Sequence, residues 1–575
     1  MPDPASDPAL AGEAAGLIAD AFTQYMRHFL TLSRVARAHF ANRDWHALQR
    51  DSGRRLDLYG DAVGDTQTGL RLLLGDRLGD RGTWTEVRAR YEAAAAEGPW
   101  AELAETFFNS NVRRVFHTVG VDPGVEFVDA TVPSAPHAPP WGHTRRIECD
   151  RGLAAAFRRV LGELELRSAW NDLEGDAERL AAAVPADVRA AGVRAIEVAR
   201  APFFRGKGAY LVGQLHTSGE PVPLVIALLN PDGRIVTDAA LFTENEISVV
   251  FSFARSYFFV ESERPREMVD WLHTIMPRKP VSDLWNSIGF HRHGKTELYR
   301  SVLGHLRASS DRFTVAPGKR GMVMAVFVLP GFDVVFKVIR DRFEFPKTVT
   351  HAQVREKYEL VYRHDRAGRL VDAQTFDHLE FPAERFEPAL LEELLSSTAE
   401  SVRREGDRIV IRHLYTERRL LPLDLFLESA APGPAREAVE DYGQALKDLA
   451  ATNIFPGDML LKNFGVTRHG RLVFYDYDEL CPLTDIRFRE LPQARDDGEE
   501  LAAEPWYFVG EHDVFPEEFR GFLGLRGDLL AAFLAAHGDL LEPAWWRRMQ
   551  DRLHRGEVID VYPYQTSRRL RPDAT

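Results

Sequence analysis

Asn453-Ile-Phe-Pro-Gly-Asp-Met-Leu-Leu-Lys-Asn-Phe-Gly465 and, shortly after it, Leu472-Val-Phe-Tyr-Asp-Tyr-Asp478 decide how this chain is to be read. Asp458 is followed five residues later by Asn463, and a short apolar run, Leu472 to Tyr475, ends on Asp476. Phosphoryl transfer asks for such a set: one carboxylate to orient an attacking hydroxyl, then an amide oxygen and a second carboxylate to hold a metal ion against phosphate oxygens. A chain with 86 acidic residues can set an Asp and an Asn five apart by chance, but it rarely adds the glycine, the strand and the second Asp in order.

Upstream, Ala435 to Thr452 carries Val439, Tyr442, Leu446 and Leu449 at helical spacing, so a packed helix leads into the loop. Before it, Ile409 to Leu414 is strand-like and Glu417-Arg-Arg419 precedes Leu423 to Leu427, a strand passing through a connector into a helix. Further back the order is strand, loop, strand, turn, strand: Phe313 to Val315, Ala316-Pro-Gly-Lys-Arg-Gly321, Met322 to Leu329, Pro330-Gly331 and Asp333 to Ile339. Gly318 and Gly321 lack a Cβ and let backbone N–H groups approach phosphate oxygens, while Lys319 and Arg320 add positive charge. Alternation on the third strand puts Val335, Lys337 and Ile339 on one face. A plain hairpin with a snorkelling lysine has the same text. Only the loop at 458–476 tips the balance to a protein-kinase-like domain with Lys337 as its phosphate-binding lysine.

The amino-terminal text differs. Leu17, Phe22, Met26, Leu30 and Val35 give Ala9 to Arg37 helical spacing, and helical text continues to about Arg114. Ser134 to Gly142, crowded by Pro136, Pro139 and Pro140, reads as an irregular crossing. Short strands follow at Ala209 to Leu215 and Leu224 to Leu229, with Asn230-Pro-Asp-Gly233 as a turn before Arg234 to Val236, and helices return from Asn245 to about Arg307. The expected fold is α+β: a mostly helical amino-terminal domain with a small β region over 1–312, then a bilobal protein-kinase-like catalytic domain over 313–575.

Composition narrows the classes. A length of 575 residues exceeds one hydrophobic core. A net charge of −14 disfavours a general nucleic-acid binder, which needs a concentrated basic surface. Cys149 and Cys481 are the only cysteines, too few for a disulfide framework and in keeping with a reducing cytoplasm. Met1 to Gly16 lacks the basic and apolar blocks of a secretory signal, and the longest apolar stretches, such as Met322 to Leu329, are too short to span a membrane. A soluble cytoplasmic protein with no membrane or nucleic-acid partner is expected.

Departures from the protein-kinase pattern matter as well. Gly457 stands where an Arg commonly precedes the catalytic Asp, Tyr477-Asp478 replaces Phe-Gly, and no Ala-Pro-Glu follows, so control by an Arg-bound phosphorylated activation loop is not expected. Asp478 can add a metal ligand or merely face solvent. Cys481 and Arg487 are spaced as in cysteine phosphatases, yet Pro482 lacks an N–H and Asp485 would repel a phosphate dianion, which argues against that chemistry. A small-molecule kinase of the same fold and a non-catalytic nucleotide sensor are the alternatives.

Several segments resemble the bacterial isocitrate dehydrogenase kinase/phosphatases: Ala316 to Met324, Val335 to Ile339, Ile409 to Tyr415, Asn453 to Met459, Lys462 to Gly470, Val473 to Glu479, Glu504 to Tyr507 and Asp513 to Phe519. Phe251 to Tyr257 and Lys295 to Tyr299 resemble them too, and the likeness is fainter before about residue 200. The resemblance implies one protein that phosphorylates a serine of isocitrate dehydrogenase with ATP and Mg2+ and removes that phosphate again, with ADP or ATP needed for the removal. Control of the glyoxylate bypass follows from it. The family pattern also implies a regulatory domain ahead of the kinase-like one, AMP and other metabolites as effectors, AMP favouring dephosphorylation, and leaves a homodimer open. By the same carry-over, Ala316, Pro317, Gly318, Lys319, Arg320, Gly321 and Met322 form the ATP loop, Lys337 binds nucleotide, and Asp372 is tied to the phosphatase activity, beside the spacing-based expectation that Asp458 is catalytic and that Asn463 and Asp476 hold the metal. Without the resemblance Asp372 is an ordinary surface or capping Asp. Glu356 and Glu359 are candidates for the glutamate that partners Lys337, and Glu504 to Arg520, rich in aromatics among acids, is a candidate protein-docking segment.

Overall fold

The computed structural model describes residues 7–95, 98–128, 141–166, 168–318, 320–343, 350–364, 366–492 and 507–571, so the prolines of the expected crossing lie outside the described residues. Two compact units result: Met1–Glu344 with Gln374–Glu417 and Tyr564–Thr575, and Phe345–Ala373 with Arg418–Pro563.

The first unit opens with long helices, Pro8–Asn42, Trp45–Leu74, Arg81–Ala95 and Ala101–Phe116. Asp7 caps the first of them by accepting from the N–H groups of Ala9 and Leu10 at 3.1 and 3.3 Å, and Pro8 supplies a preset φ at the first turn. Phe22, Met26 and Leu30 are buried as their spacing predicts, with Leu17 and Val35 at the margin of the buried face. Beyond the helices lies an antiparallel sheet in the order Thr144–Glu148, Ala195–Ala199, Gly208–His216, Val222–Leu229, Val236–Leu241, with Phe203–Arg205 paired to the third. The last strand starts at Val236, later than Arg234, because Ile235 pairs with Trp170 instead, while Asn230 in the preceding turn donates to the carbonyls of Phe40 and Ala41 at 2.9 and 3.2 Å.

Both faces of this sheet are apolar, and the period of two separates them. Tyr210, Val212, Val225 and Ala227 pack into the core of the long helices. Ala209, Leu211, Leu224, Ile226 and Leu228 pack on the other side against Phe157, Val160 and Leu180 from helices Leu153–Gly162 and Leu173–Ala183. Residues 564–571 return to the same sheet: Arg569 meets the buried Asp238 at 2.8 Å, Tyr564 donates to it at 2.6 Å, and Arg571 meets the buried Asp176 at 2.6 Å.

A second six-stranded sheet completes the unit, in the order Gln374–Pro382, Arg408–Arg418, Val334–Ile339, Met324–Val328, Thr314–Val315, with Val402–Glu405 paired to the second. Phe313, Phe327, Phe336, Phe381 and Phe386 form its core with Leu390 and Leu394 of the helix Pro388–Ser397. Strand Arg408–Arg418 runs past the expected end at Leu414, so Glu417 belongs to the sheet rather than to the connector.

In the second unit the helix Pro432–Ala451 lies against a small antiparallel sheet, Leu421–Pro422, Phe464–Val466, Leu472–Phe474, with helices His351–His364, Gly527–His537 and Pro543–His554 around them. Its centre is one guanidinium. Arg369, 2% exposed, donates to Asp441 at 2.7 and 2.8 Å, to Asp448 at 2.8 Å and to the carbonyl of Leu472 at 2.9 Å. Burial opposes its charge, but Asp441 and Asp448 outweigh that and raise its pKa. Replacing Arg369 by Leu strands both carboxylates and is expected to cost roughly 3–5 kcal/mol. Hydrogen exchange along Pro432–Ala451 measures it, and Arg369→Lys should recover part of the protection because the charge stays while the fork is lost.

Candidate active site

Within the first unit, the glycine loop joins strands Thr314–Val315 and Met324–Val328, and Ala316 N–H donates to Val326 O at 3.0 Å to close the pair. Pro317 and Gly318 are exposed, Gly318 with φ of 108°, and Met322 is half-buried; Lys319 lies outside the described residues. Arg320 meets Glu393 through Nε at 2.9 Å and Nη2 at 2.8 Å, so its charge is tied to helix Pro388–Ser397. Arg340 shares that carboxylate at 2.5 Å and donates to Gly321 O at 3.0 Å. Burial alone would raise the pKa of Glu393, but the two arginines outweigh it and hold it below the ordinary carboxylate range. The base of the loop is thereby fixed.

Lys337 lies opposite Val326 in the ladder and is 9% exposed. Its Nζ is 2.7 Å from Glu417 Oε2, on the neighbouring strand Arg408–Arg418. Glu417 was not legible as a lysine partner, because only the pairing of strands 334–339 and 408–418 brings them together. The candidates Glu356 and Glu359 are both exposed, on helix His351–His364 of the second unit.

The catalytic-loop residues lie in the second unit, where helix Pro432–Ala451 ends at Thr452 and Ile454–Phe455 pairs with Cys481–Pro482. Gly457 has φ of 74°, and a Cβ there would lie 2.4 Å from Glu479 O, so the turn admits no side chain. That is the physical reason for the missing Arg. Asp458 follows, its Oδ1 accepting from Leu460 N–H at 3.0 Å, and the Asn463 amide donates to the backbone carbonyl of Asp458 at 3.2 Å. Tyr442 OH donates to Met459 O at 2.5 Å and pins the loop to the helix; burial first, and then the charge of Asp458, push its pKa up.

Strands Phe464–Val466 and Leu472–Phe474 pair antiparallel, and Tyr475 N–H donates to Asn463 O at 3.1 Å, so Asn463 and Asp476 stand at the same end of the hairpin. Leu370 bridges Phe474 in parallel, and Val371 N–H donates to Phe474 O at 3.3 Å. Two residues beyond that bridge on each segment are Asp372 and Asp476. The fold thus brings Asp372, which residue chemistry alone did not single out, to the edge that carries Asn463 and Asp476. Hard oxygens from Asn463 and Asp476 suit magnesium, which takes few ligands from a chain and completes its shell with water and phosphate oxygens. Among the described residues, no group of three His, Cys, Asp or Glu is gathered to hold a metal by itself.

Cys481 is half-buried, and burial pushes its thiol up to about 11. Arg487 is held by Asp513 at 3.2 Å. Neither residue is set up for a thiolate phosphatase.

A helix feeding an Asp-bearing loop and a hairpin that ends on a second Asp is the build of the large lobe in protein-kinase-like phosphotransferases, and the fold puts the chain in that class. Residues 311–566 match the family model described as isocitrate dehydrogenase kinase/phosphatase (AceK) kinase domain, and residues 15–310 match the regulatory domain of the same family. The chain belongs to the isocitrate dehydrogenase kinase/phosphatase family. It is 48% identical over 569 residues to the isocitrate dehydrogenase kinase/phosphatase of Anaeromyxobacter sp. (strain Fw109-5), covering 98% of each chain. The protein of that name from Anaeromyxobacter dehalogenans (strain 2CP-C) is 48% identical over 578 residues, again with 98% of each chain covered. Among the described residues, no helix is long and apolar enough to cross a membrane.

Because the Cys481 thiol stays protonated well above neutral pH, Cys481→Ser is expected to leave both phosphorylation and dephosphorylation within about 2-fold of the parent protein. Parallel assays of the two reactions check this, and loss of dephosphorylation alone would reinstate a cysteine mechanism.

Proposed function

We propose that this protein transfers phosphate from ATP to a serine of isocitrate dehydrogenase and removes it again, setting the partition of isocitrate between the citric acid cycle and the glyoxylate bypass. The observation that carries the proposal is the ordered Asp458, Asn463 and Asp476 arrangement in a chain that matches relatives of that name over 98% of its length. The catalytic domain runs from 313 to 575 and the regulatory domain from 1 to 312. Asp458 orients the serine hydroxyl and takes up its proton as the new P–O bond forms. Asn463 and Asp476 would hold magnesium, which would supply charge neutralisation to the phosphates. Lys337 and the backbone of the loop from Ala316 to Met322 bind ATP phosphates, with Glu417 holding the ammonium in place at 2.7 Å.

Dephosphorylation uses the same loop and hairpin with ADP or ATP bound, and Asp372 activates or positions the attacking water. Its place beside Asp476 supports this role, since a water approaching the phosphoserine there would meet a carboxylate. AMP acts as an effector favouring dephosphorylation. The protein works in the cytoplasm.

Labelled phosphate transferred from ATP to purified isocitrate dehydrogenase, then released in a chase with ADP and AMP, tests the whole scheme. Asp458→Ala should lose transfer by about 10²-fold or more. No transfer to isocitrate dehydrogenase, with turnover on alcohol or aminoglycoside acceptors, would make this a small-molecule kinase instead. Separately, Glu417→Gln leaves Lys337 without its carboxylate and is expected to raise KM for ATP by about 10-fold with a smaller change in kcat. An unchanged KM would assign Glu417 to sheet stability alone.

A further inference from the structure

Arg320 is the one arginine of the loop from Ala316 to Met322, and its guanidinium is already engaged. Nε and Nη2 meet Oε1 and Oε2 of Glu393 at 2.9 and 2.8 Å. A bidentate pair of this kind is the strong form of a charge-assisted bond, and a phosphate could take the guanidinium only by displacing both contacts. The two partners differ in exposure: the Arg320 side chain is 65% exposed and that of Glu393 is 7% exposed.

Glu393 holds more than Arg320. Its Oε1 also accepts from Nη2 of the buried Arg340 at 2.5 Å, and Arg340 directly follows the strand Val334–Ile339 that carries Lys337. Arg340 Nε donates to Gly321 O at 3.0 Å, Nη1 to Ser397 Oγ at 2.8 Å and the backbone N–H to Val323 O at 2.9 Å. One carboxylate therefore fastens the loop, through Arg320, and the end of the Lys337 strand, through Arg340. It stands on a firm base, because Leu390 and Leu394 of the same helix pack into the core of the sheet, and Asp341 N–H donates to Ser397 O at 2.8 Å at the helix end. The loop backbone also runs close to the next strand: a Cβ at Gly321 would lie 2.7 Å from Met324 O.

Removing Glu393 has two opposed effects on a phosphate bound at the loop. It frees a cation, which favours binding, and it releases the loop while leaving Arg340 buried without its carboxylate, which disfavours it. Water screens the mostly exposed Arg320, so the first effect is weak. The second acts on a buried charge and on backbone geometry that tolerates little error, and it wins. We infer that Arg320 and Glu393 are a positioning pair: the Arg320 guanidinium acts through Glu393 to set the loop backbone against the strand of Lys337 and does not itself contact the phosphates of ATP. This rests on the reading of the loop as the ATP-phosphate site.

Isothermal titration of the full-length protein with ATP and Mg2+ reads that site without any protein substrate. Glu393→Gln and Arg320→Ala are each expected to weaken ATP by ~10-fold, and the double variant also by ~10-fold rather than the ~100-fold of two independent contacts. In labelled-phosphate transfer the loss falls on KM for ATP, with kcat within about 2-fold. Asp238→Asn disturbs a buried ion pair on the other sheet of the same unit, and is expected to lower the melting temperature while leaving ATP affinity within about 2-fold. Should Glu393→Gln not fold, Glu393→Asp keeps the charge, shortens its reach and is expected to weaken ATP by ~3-fold. Tighter ATP binding by either Glu393 variant would mean that Arg320 is released onto the phosphates and overturns the inference; additive losses, or affinity indifferent to the substitutions at 320 and 393, overturn it too. A parent protein that binds no ATP overturns the reading of the loop and this inference with it, whereas the expected titrations without transfer to isocitrate dehydrogenase support the pair and strike only the proposed substrate.

Discussion

The second unit depends on the charge of Arg369 being matched inside the protein. Its guanidinium joins three pieces of chain that are far apart in sequence: the segment that leads to Asp372, the helix Pro432–Ala451 through Asp441 and Asp448, and the strand Leu472–Phe474 through the Leu472 carbonyl. Asp441 Oδ2 also accepts from Leu472 N–H at 2.7 Å, so the strand is held at both its donor and its acceptor. Planar geometry lets one side chain satisfy all of these at once, which a lysine could not do. The helix end, the Asp458 loop and the edge carrying Asp476 inherit their positions from this junction. A buried pair of this kind is weak evidence for extra stability, but it is a strict specification of register.

Around that frame the catalytic loop is self-contained. Gly457 makes a turn that a side chain would block, the Asn463 amide closes the loop onto the Asp458 carbonyl, and Tyr442 ties Met459 to the helix beneath. Protein kinases that place an Arg before the catalytic Asp can tether a phosphorylated activation segment there; this chain has no room for one. Control has to enter elsewhere. The sheet that carries Lys337 shares a compact unit with the amino-terminal helices, and Gly120 N–H donates to His378 O at 2.7 Å between them. Compactness therefore does not follow the division at 310 and 311 that the two family models draw.

Much of the local structure that carries the candidate site was legible because its elements are local. The five-residue step from Asp458 to Asn463, the strand before Asp476, and the alternation that sets Lys337 on the face of a strand are all short-range patterns. So was the core helix before the loop, where Val439, Tyr442, Leu446 and Leu449 are buried as their spacing requires. In the sequence Glu417 reads as part of a connector, since a charged run after an apolar strand looks like the strand's end; pairing with the neighbouring strand extends it and buries the carboxylate. Asp372 sits in a segment with no helical or strand period of its own, and its place follows from pairing of that segment with Phe474, through the Leu370 bridge and the Val371 N–H.

By itself, then, the amino-acid sequence determined the local elements around the candidate site, the order of its Asp and Asn residues and the family, because each rests on spacing along the chain. Only the tertiary structure decided which charges meet. Lys337 with Glu417, Glu393 with Arg320 and Arg340, Arg369 with Asp441 and Asp448, and Arg569 with Asp238 are pairs separated by up to 331 positions. An ion pair leaves no local pattern in the text, since any of 72 basic residues can meet any of 86 acidic ones. Selection among them comes from burial, which makes an unmatched charge too costly to leave in place.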